Sequence, residues 1–274
     1  MEDPVQVRTS PERRRGLELI PRAPISTRLY MALGVASFAF ILAVWSLLTY
    51  TGMLDPLFLP TPTKVAAAAF NLLAYHGYLN DVIVTVFRVF AGFFLAVLIG
   101  VPLGILVGTY KPIEAMVEPV MAFVRYMPAS AFLPLFIIWI GINEPEKVAV
   151  IFFGSFFQLV LMVATSTSSV PQELVEVSYT LGTSPSRVLW RVLLPGAWPA
   201  IVDNLRIILG WAWTYVIVAE LIGASSGMGF MIIESQRMLR TWNIIAGIVS
   251  IGILGLVADY GFKWSRSALF PWAD

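Results

Sequence analysis

Long apolar runs separated by short polar segments dominate the chain. Most of these runs reach about 20 residues, the length that carries a helix across a bilayer core. The pattern predicts six spans: Leu29–Tyr50, Asn80–Thr109, Pro112–Ile140, Glu146–Ser166, Ile201–Gly223 and Trp242–Phe262. Asn80 or Asp81 is the expected N-cap of the second span. The third span holds Pro119, Pro128 and Pro134, so a broken or re-entrant helix is expected there. Between the first two spans, Thr61-Pro62 opens and Gly77 closes a short amphipathic helix over residues 65–74. Such a helix suits the membrane interface. The fold class read from this pattern is all-α and polytopic: a polar tail over residues 1–28, then one membrane domain over residues 29–274.

Composition sharpens this picture by exclusion. The chain is 58% hydrophobic and 13% charged, about half the charged fraction of a typical soluble domain. It has no cysteine, hence no disulfide and no thiolate metal site, and its single histidine, His76, is too few for a histidine metal centre. A twin-arginine export signal at Arg13, Arg14 and Arg15 is disfavoured, because the apolar run starts well downstream and is too long for a signal-peptide core. The tail, the Lys111 turn, the loop over residues 169–199 and the C-terminal end hold most of the basic residues outside the spans. The opposite loops hold only Lys64, Lys147, Arg237 and Arg240. The basic side is expected to be cytoplasmic, placing both termini there.

One polar segment stands out against the apolar background. Over residues 169–199, Ser169-Val-Pro-Gln172 has the form of a capping box. Leu174, Val177, Ser178 and Leu181 follow at helical spacing and form one stripe. Gly182 ends that helix. Ser184-Pro185 opens a second, with Val188, Leu189, Val192 and Leu193 as its stripe, and Pro195 is expected to end it. Taken by itself, this hairpin either packs on its own membrane domain or docks a partner.

The stretch resembles the EAA loop of ABC-importer permeases, whose pattern is E-A-A-x-x-x-G, nine residues, then I-x-L-P. Glu176, Gly182, Leu194 and Pro195 match in identity and spacing; Val177 and Ser178 replace the two alanines, and Val192 replaces the isoleucine. Phe58-Leu-Pro-Thr-Pro62, Val101-Pro-Leu-Gly104, the Leu133–Gly141 run and the Ala219–Gly229 run are similar to the branch importing nitrate, bicarbonate, taurine and other sulfonates.

The resemblance implies the permease subunit of an ATP-driven importer in the bacterial inner membrane, working by alternating access. The implied partners are two ATP-binding cassette ATPase subunits, a second copy of the permease, an extracytoplasmic solute-binding protein and membrane lipid, with no nucleic acid. ATP and magnesium would sit on the ATPases; this chain would bind no cofactor or metal and carry no catalytic residue. Glu176, Ser178, Gly182, Arg187, Arg191, Leu194 and Pro195 would couple it to them. An ion-gradient-driven carrier or channel is the alternative, but it expects inverted repeats and leaves the hairpin unexplained.

Within the spans, Gly92, Ala96, Gly100, Gly104 and Gly108 recur every fourth residue, a seam for close helix packing whose simplest partner is another helix of the same chain. Charges in spans are costly and mark candidate sites. Arg125 shares a helix face with Glu114 and Glu118 and either meets an anion in transit or pairs with an acid. Arg206, Gly210, Trp213, Ile217 and Glu220 form a stripe on the fifth span that lines either the pathway or a buried contact; the pathway candidates are Arg125, Arg206, Trp213 and Glu220. Glu220 is expected to pair with Arg125 or Arg88, and Asp259 with Lys263 at the surface. The Gly223–Gly229 turn is expected to be a flexible outer loop that meets the binding protein.

Overall fold

The computed structural model describes residues 25–75 and 77–271. The Arg13–Arg15 run and His76 lie outside the described residues. Among the described residues, eleven α-helices follow in order: α1 (Thr27–Tyr50), α2 (Pro62–Tyr75), α3 (Tyr78–Thr109), α4 (Lys111–Arg125), α5 (Leu133–Ile140), α6 (Glu144–Ser168), α7 (Gln172–Thr180), α8 (Pro185–Val188), α9 (Leu194–Glu220), α10 (Met228–Arg237) and α11 (Thr241–Leu269). Among the described residues, five segments are long and apolar enough to cross a membrane, or six if the bent α4–α5 pair counts as one crossing. The expected proline break in the third span is real. A single 3-10 turn over Ala129–Phe132 joins α4 to α5, and the two arms meet at 86°.

The core is built by α3, α6 and α9. The four-residue seam on α3 faces α6, where a β-carbon at Gly92 would lie 2.6 Å from Ile151 and one at Gly104 would lie 2.6 Å from Val163 and 2.7 Å from the Val160 carbonyl. The missing side chains therefore set the spacing of the two longest-packed helices, and the seam is a contact within the chain. Val89, Phe93, Ile151, Leu159, Ile201, Ile208 and Ala212 fill the space between the three helices. A smaller cluster binds α2 to α10 and α11 through Val65, Leu72, Met228, Met231 and Ala246. The expected interfacial helix thus packs one face on protein while leaving Phe70 and Leu73 exposed. α1 stands apart: none of its most apolar stretch is buried inside the chain. It is tied only near its end, where Trp45 donates to the Pro60 carbonyl at 3.0 Å and the Tyr50 and Thr63 hydroxyls meet at 2.8 Å.

Several expectations need correction. α3 begins at Tyr78 with Gly77 as its cap, so neither Asn80 nor Asp81 caps it; Asp81 instead accepts the Gly227 N–H at 2.7 Å, a longer-range use of the same carboxylate. The Ser169 capping box does not form, because the Ser169 hydroxyl donates to the Ser166 carbonyl and Pro171 occupies the cap position. Pro195 does not end a helix. α8 passes through one π-helical turn, Leu189–Leu193, directly into α9, with Pro195 in the first turn of α9. In the wider turn the Leu194 N–H donates five residues back to Leu189, so Pro195, which has no N–H to give, follows a point where the four-residue bonding is already interrupted. The fifth span consequently starts before Ile201. Finally, the 226–229 end of the Gly223–Gly229 turn is bonded to α3 and α9 and leads into α10, while Gly223 and Ser225 stay exposed.

Candidate functional site

The polar hairpin lies at one end of the bundle, where α6 ends and α9 begins. α7 stops at Gly182, whose φ of +74° is the left-handed conformation that glycine adopts without strain. The Gly182 N–H donates to Tyr179 at 2.9 Å and the Thr183 N–H to Ser178 at 3.0 Å, the paired bonds of a Schellman end. Only α8 and the π turn give α7 substantial contact. As a result the apolar stripe of α7 faces outward: Leu174 is 52%, Val177 57% and Leu181 79% exposed. The stripe does not pack on the chain's own membrane domain.

The other hairpin residues have distinct roles in this geometry. Glu176 accepts from Gln172 at 2.8 Å, and the Ser178 hydroxyl folds back to the Leu174 carbonyl at 2.7 Å, leaving a small, quiet surface beside Glu176. Arg187 and Arg191 are exposed. Val188 is buried and pins the second arm. Leu194 and Pro195 border an apolar groove of about 650 Å³ with Pro102, Leu106, Trp190 and Trp198. Trp190, 67% exposed, carried no signal in the sequence reading because it falls outside the stripe. Since α8, the π turn and α9 run on without a loop, a push on the hairpin is a push on a membrane helix.

The intramembrane candidates separate into two groups. Arg206 pairs with Asp259 of α11, which also accepts from Lys263 at 3.1 Å; Asp259 is therefore shared rather than a simple surface partner of Lys263. Trp213 is buried in the core, and its indole N–H has no hydrogen-bond partner among the described residues. Glu220 is fully buried and meets Arg88, not Arg125, at 2.8 Å. Arg125 is exposed; its guanidinium donates to the Tyr126 hydroxyl at 3.1 Å and borders two cavities, one with Gln158, Trp211 and Tyr215 and one with Glu114 and Glu118.

The end of the bundle opposite the hairpin holds a constellation that sequence spacing did not reveal. Buried Arg88 of α3 makes a two-point bond to Glu144 of α6 at 2.6 and 2.5 Å. Its remaining nitrogen reaches both Glu220 of α9 and the Ser226 carbonyl at 2.8 Å. Glu220 also accepts from Thr85 at 2.8 Å and from the Gly229 N–H at 2.7 Å. The Met228 N–H donates to Thr85 at 2.9 Å. A side chain at Gly227 would strike Glu220 at 2.5 Å. The glycine turn is thus held by partners more than 130 residues away in sequence, together with Glu220.

Residues 100–271 match the model of the family described as "Binding-protein-dependent transport system inner membrane component". The chain belongs to this family. The permease is 32% identical over 256 residues to the taurine transport system permease protein TauC of Escherichia coli, covering 92% of each chain. It is 30% identical to the putative aliphatic sulfonates transport permease protein SsuC of Bacillus subtilis, covering 94% of this chain and 93% of that one. It is 28% identical to the bicarbonate transport system permease protein CmpB of Synechocystis, over 84% and 85% of the two chains. In three dimensions it resembles the inward-facing MetNI methionine ABC transporter, with a TM-score of 0.64 and 20% identity over 69% of this chain and 94% of that one. The permease is therefore an all-α, multi-pass ABC-importer inner-membrane component of the taurine, sulfonate and bicarbonate branch. The matched region takes in the hairpin, the broken α4–α5 segment and the Gly223–Gly229 turn, and leaves out α1 and α2.

Proposed function

We propose that this permease is the membrane subunit of an ATP-driven importer of a small oxyanion or sulfonate, of the class that includes nitrate, bicarbonate, taurine and alkanesulfonates. Two copies form the membrane pore, two ATP-binding cassette subunits dock on the two hairpins, and an extracytoplasmic binding protein delivers the solute at the opposite end. Both termini lie in the cytoplasm, the side to which the basic residues are biased. ATP and magnesium are held by the partner subunits, and the permease performs no bond chemistry. Closure of the ATPases moves the hairpins, and α9 transmits that movement to the bundle as alternating access.

The observation that carries this reading is the outward-facing stripe of Leu174, Val177 and Leu181 on a hairpin fused without a loop to α9. An apolar stripe on a polar loop is favourable only when something covers it, and the pattern of Glu176, Gly182, Leu194 and Pro195 is that of the ATPase-coupling loop. The gradient-driven alternative has no use for such a surface. Purification of the tagged permease in mild detergent tests the reading. Nucleotide-binding cassette subunits should be retained in equal number with the permease, and Leu181→Asp should release them while the permease stays folded. A permease that moves solute on an ion gradient alone, without a bound cassette subunit, would overturn it.

A further inference from the structure

The cavity beside Arg125 has the composition of a solute site. It encloses about 310 Å³, room for about ten waters at about 30 Å³ each. It lies at the α4–α5 bend, walled by α6 and α9. Arg125 ends α4, 14 residues from Lys111 at its start, about 21 Å along the helix at 1.5 Å per residue. No carboxylate of the described residues forms an ion pair with it; its polar contact is the Tyr126 hydroxyl, with its guanidinium carbon 4.9 Å from the Tyr126 ring centre. The Gln158 amide and the Tyr215 hydroxyl also reach the cavity without a hydrogen-bond partner among the described residues. Gly154 makes room for the Tyr215 ring, since a β-carbon there would lie 2.6 Å from it.

We propose that this cavity is a transit site for a short-chain organic sulfonate, an inference that rests on the importer reading above. The guanidinium fork matches two oxygens of a sulfonate. Tyr126, whose oxygen already accepts from Arg125, keeps its own proton free for the third oxygen. Gln158 supplies further N–H donors. The remaining wall is aromatic and apolar, with Trp211, Tyr215, Phe153 and Phe157. Such a wall suits the methylene groups of an alkanesulfonate, and it offers nothing to a bare inorganic oxyanion, which would leave that surface wet. The adjoining cavity toward the hairpin is lined by Glu114 and Glu118. Glu114 is bonded to Lys111 at 2.7 Å, but Glu118 is not, so an anion is repelled from that side and dwells at Arg125 until the bundle rearranges.

The test is uptake of radiolabelled ethanesulfonate and of nitrate by cells carrying the intact transporter, with cassette-subunit retention measured on the same membranes. Wild-type permease should import ethanesulfonate and not nitrate. Arg125→Ala should lower ethanesulfonate uptake at least tenfold, and Arg125→Lys should restore it only in part because the fork is lost. Gln158→Glu, nearly isosteric, should depress uptake more than Gln158→Leu, because its carboxylate takes the guanidinium for itself. All four variants should retain the cassette subunits. Unchanged uptake in Arg125→Ala or Gln158→Glu would overturn the site, as would nitrate uptake that exceeds ethanesulfonate uptake and falls with the same substitutions. Loss of the cassette subunits from wild-type permease would overturn the importer reading instead, and is read separately from solute uptake.

Discussion

The two ends of the bundle use polar residues in opposite ways. At the far end, Arg88, Glu144, Glu220, Thr85 and the 226–229 turn satisfy one another, with Arg88 and Glu220 almost wholly buried. At the hairpin end, the polar face sits in solvent and apolar side chains point away from the chain. A region that closes on itself supports the fold; one that leaves apolar surface uncovered is shaped for a partner. Substitutions at the far end should therefore cost stability first and activity as a consequence, whereas those in the hairpin should cost coupling with the fold intact.

The largest expected effect is at Arg88. Replacing it with alanine leaves the Glu220 carboxylate buried against Thr85 and the Gly229 N–H with no counter-charge, and breaking a buried pair in this way costs about 3–5 kcal/mol. Arg88→Ala should reduce the folded yield in membranes sharply and lower the thermal midpoint of what remains in detergent. Arg88→Ala combined with Glu220→Gln should recover part of the loss, because the stranded charge is removed. A double variant no better than the single one would mean that the shape of Arg88, not its charge, holds the turn.

The α3–α6 seam comes next. Gly104→Val would drive a β-carbon against Val163 and the Val160 backbone oxygen, and a main-chain oxygen cannot turn aside as a side chain can. Overpacking of this kind costs about 1–3 kcal/mol. Gly210, which would meet nothing within 4 Å, is the matched control: Gly210→Ala should leave the thermal midpoint within about a degree or raise it slightly through helix propensity. Equal effects at the two positions would remove the seam as the feature that sets helix spacing.

Much of this was legible in the chain because the governing patterns are local. Apolar runs reported the spans, prolines the break before α5, and Gly182 the end of α7, although α9 starts at Leu194, ahead of Ile201, and α11 runs on past Phe262 to Leu269. The far-end cluster was only partly legible, since Arg88 was one of two candidate partners for Glu220 while the roles of Asp81, Thr85 and Glu144 depend on tertiary contacts that spacing does not encode. The same blindness hid the anchoring of the turn's 226–229 end: its glycines signal room, and only the fold shows that Glu220 and Arg88 lie against Gly227. The helix α10 was missed because it is short, follows Gly223 and Gly227, and holds Gly229 in its first turn. Pro195 was misread because a π turn carries the chain through a residue that ordinarily stops a helix.

Gly182→Val should give the clearest separation between fold and function. Its β-carbon meets no atom within 4 Å, so the cost is confined to forcing a β-branched residue into a left-handed φ, about 1–2 kcal/mol. The bundle does not depend on α7, which packs mainly on α8 and the π turn. Membrane insertion and thermal midpoint should therefore stay near wild type while solute uptake falls to background and ATP hydrolysis no longer responds to solute. Normal uptake with normal coupling would show that the bend between α7 and α8 does not carry the coupling motion.

The smallest effect tests whether ionic contacts at the hairpin end carry stability at all. Lys263 is 48% exposed and one helical turn from Asp259, and such exposed pairs contribute less than about 0.5 kcal/mol. Asp259 also keeps Arg206 as a partner when Lys263 is removed, so Lys263→Ala should leave both yield and midpoint unchanged. Arg206→Ala should do more, because it separates α9 from α11 as well as removing a charge. If Lys263→Ala were as damaging as Arg88→Ala, the contrast between the two ends would be lost: the hairpin end would then be an ionic lattice like the far end, and the exposed stripe of α7 would be an isolated patch on a rigid face.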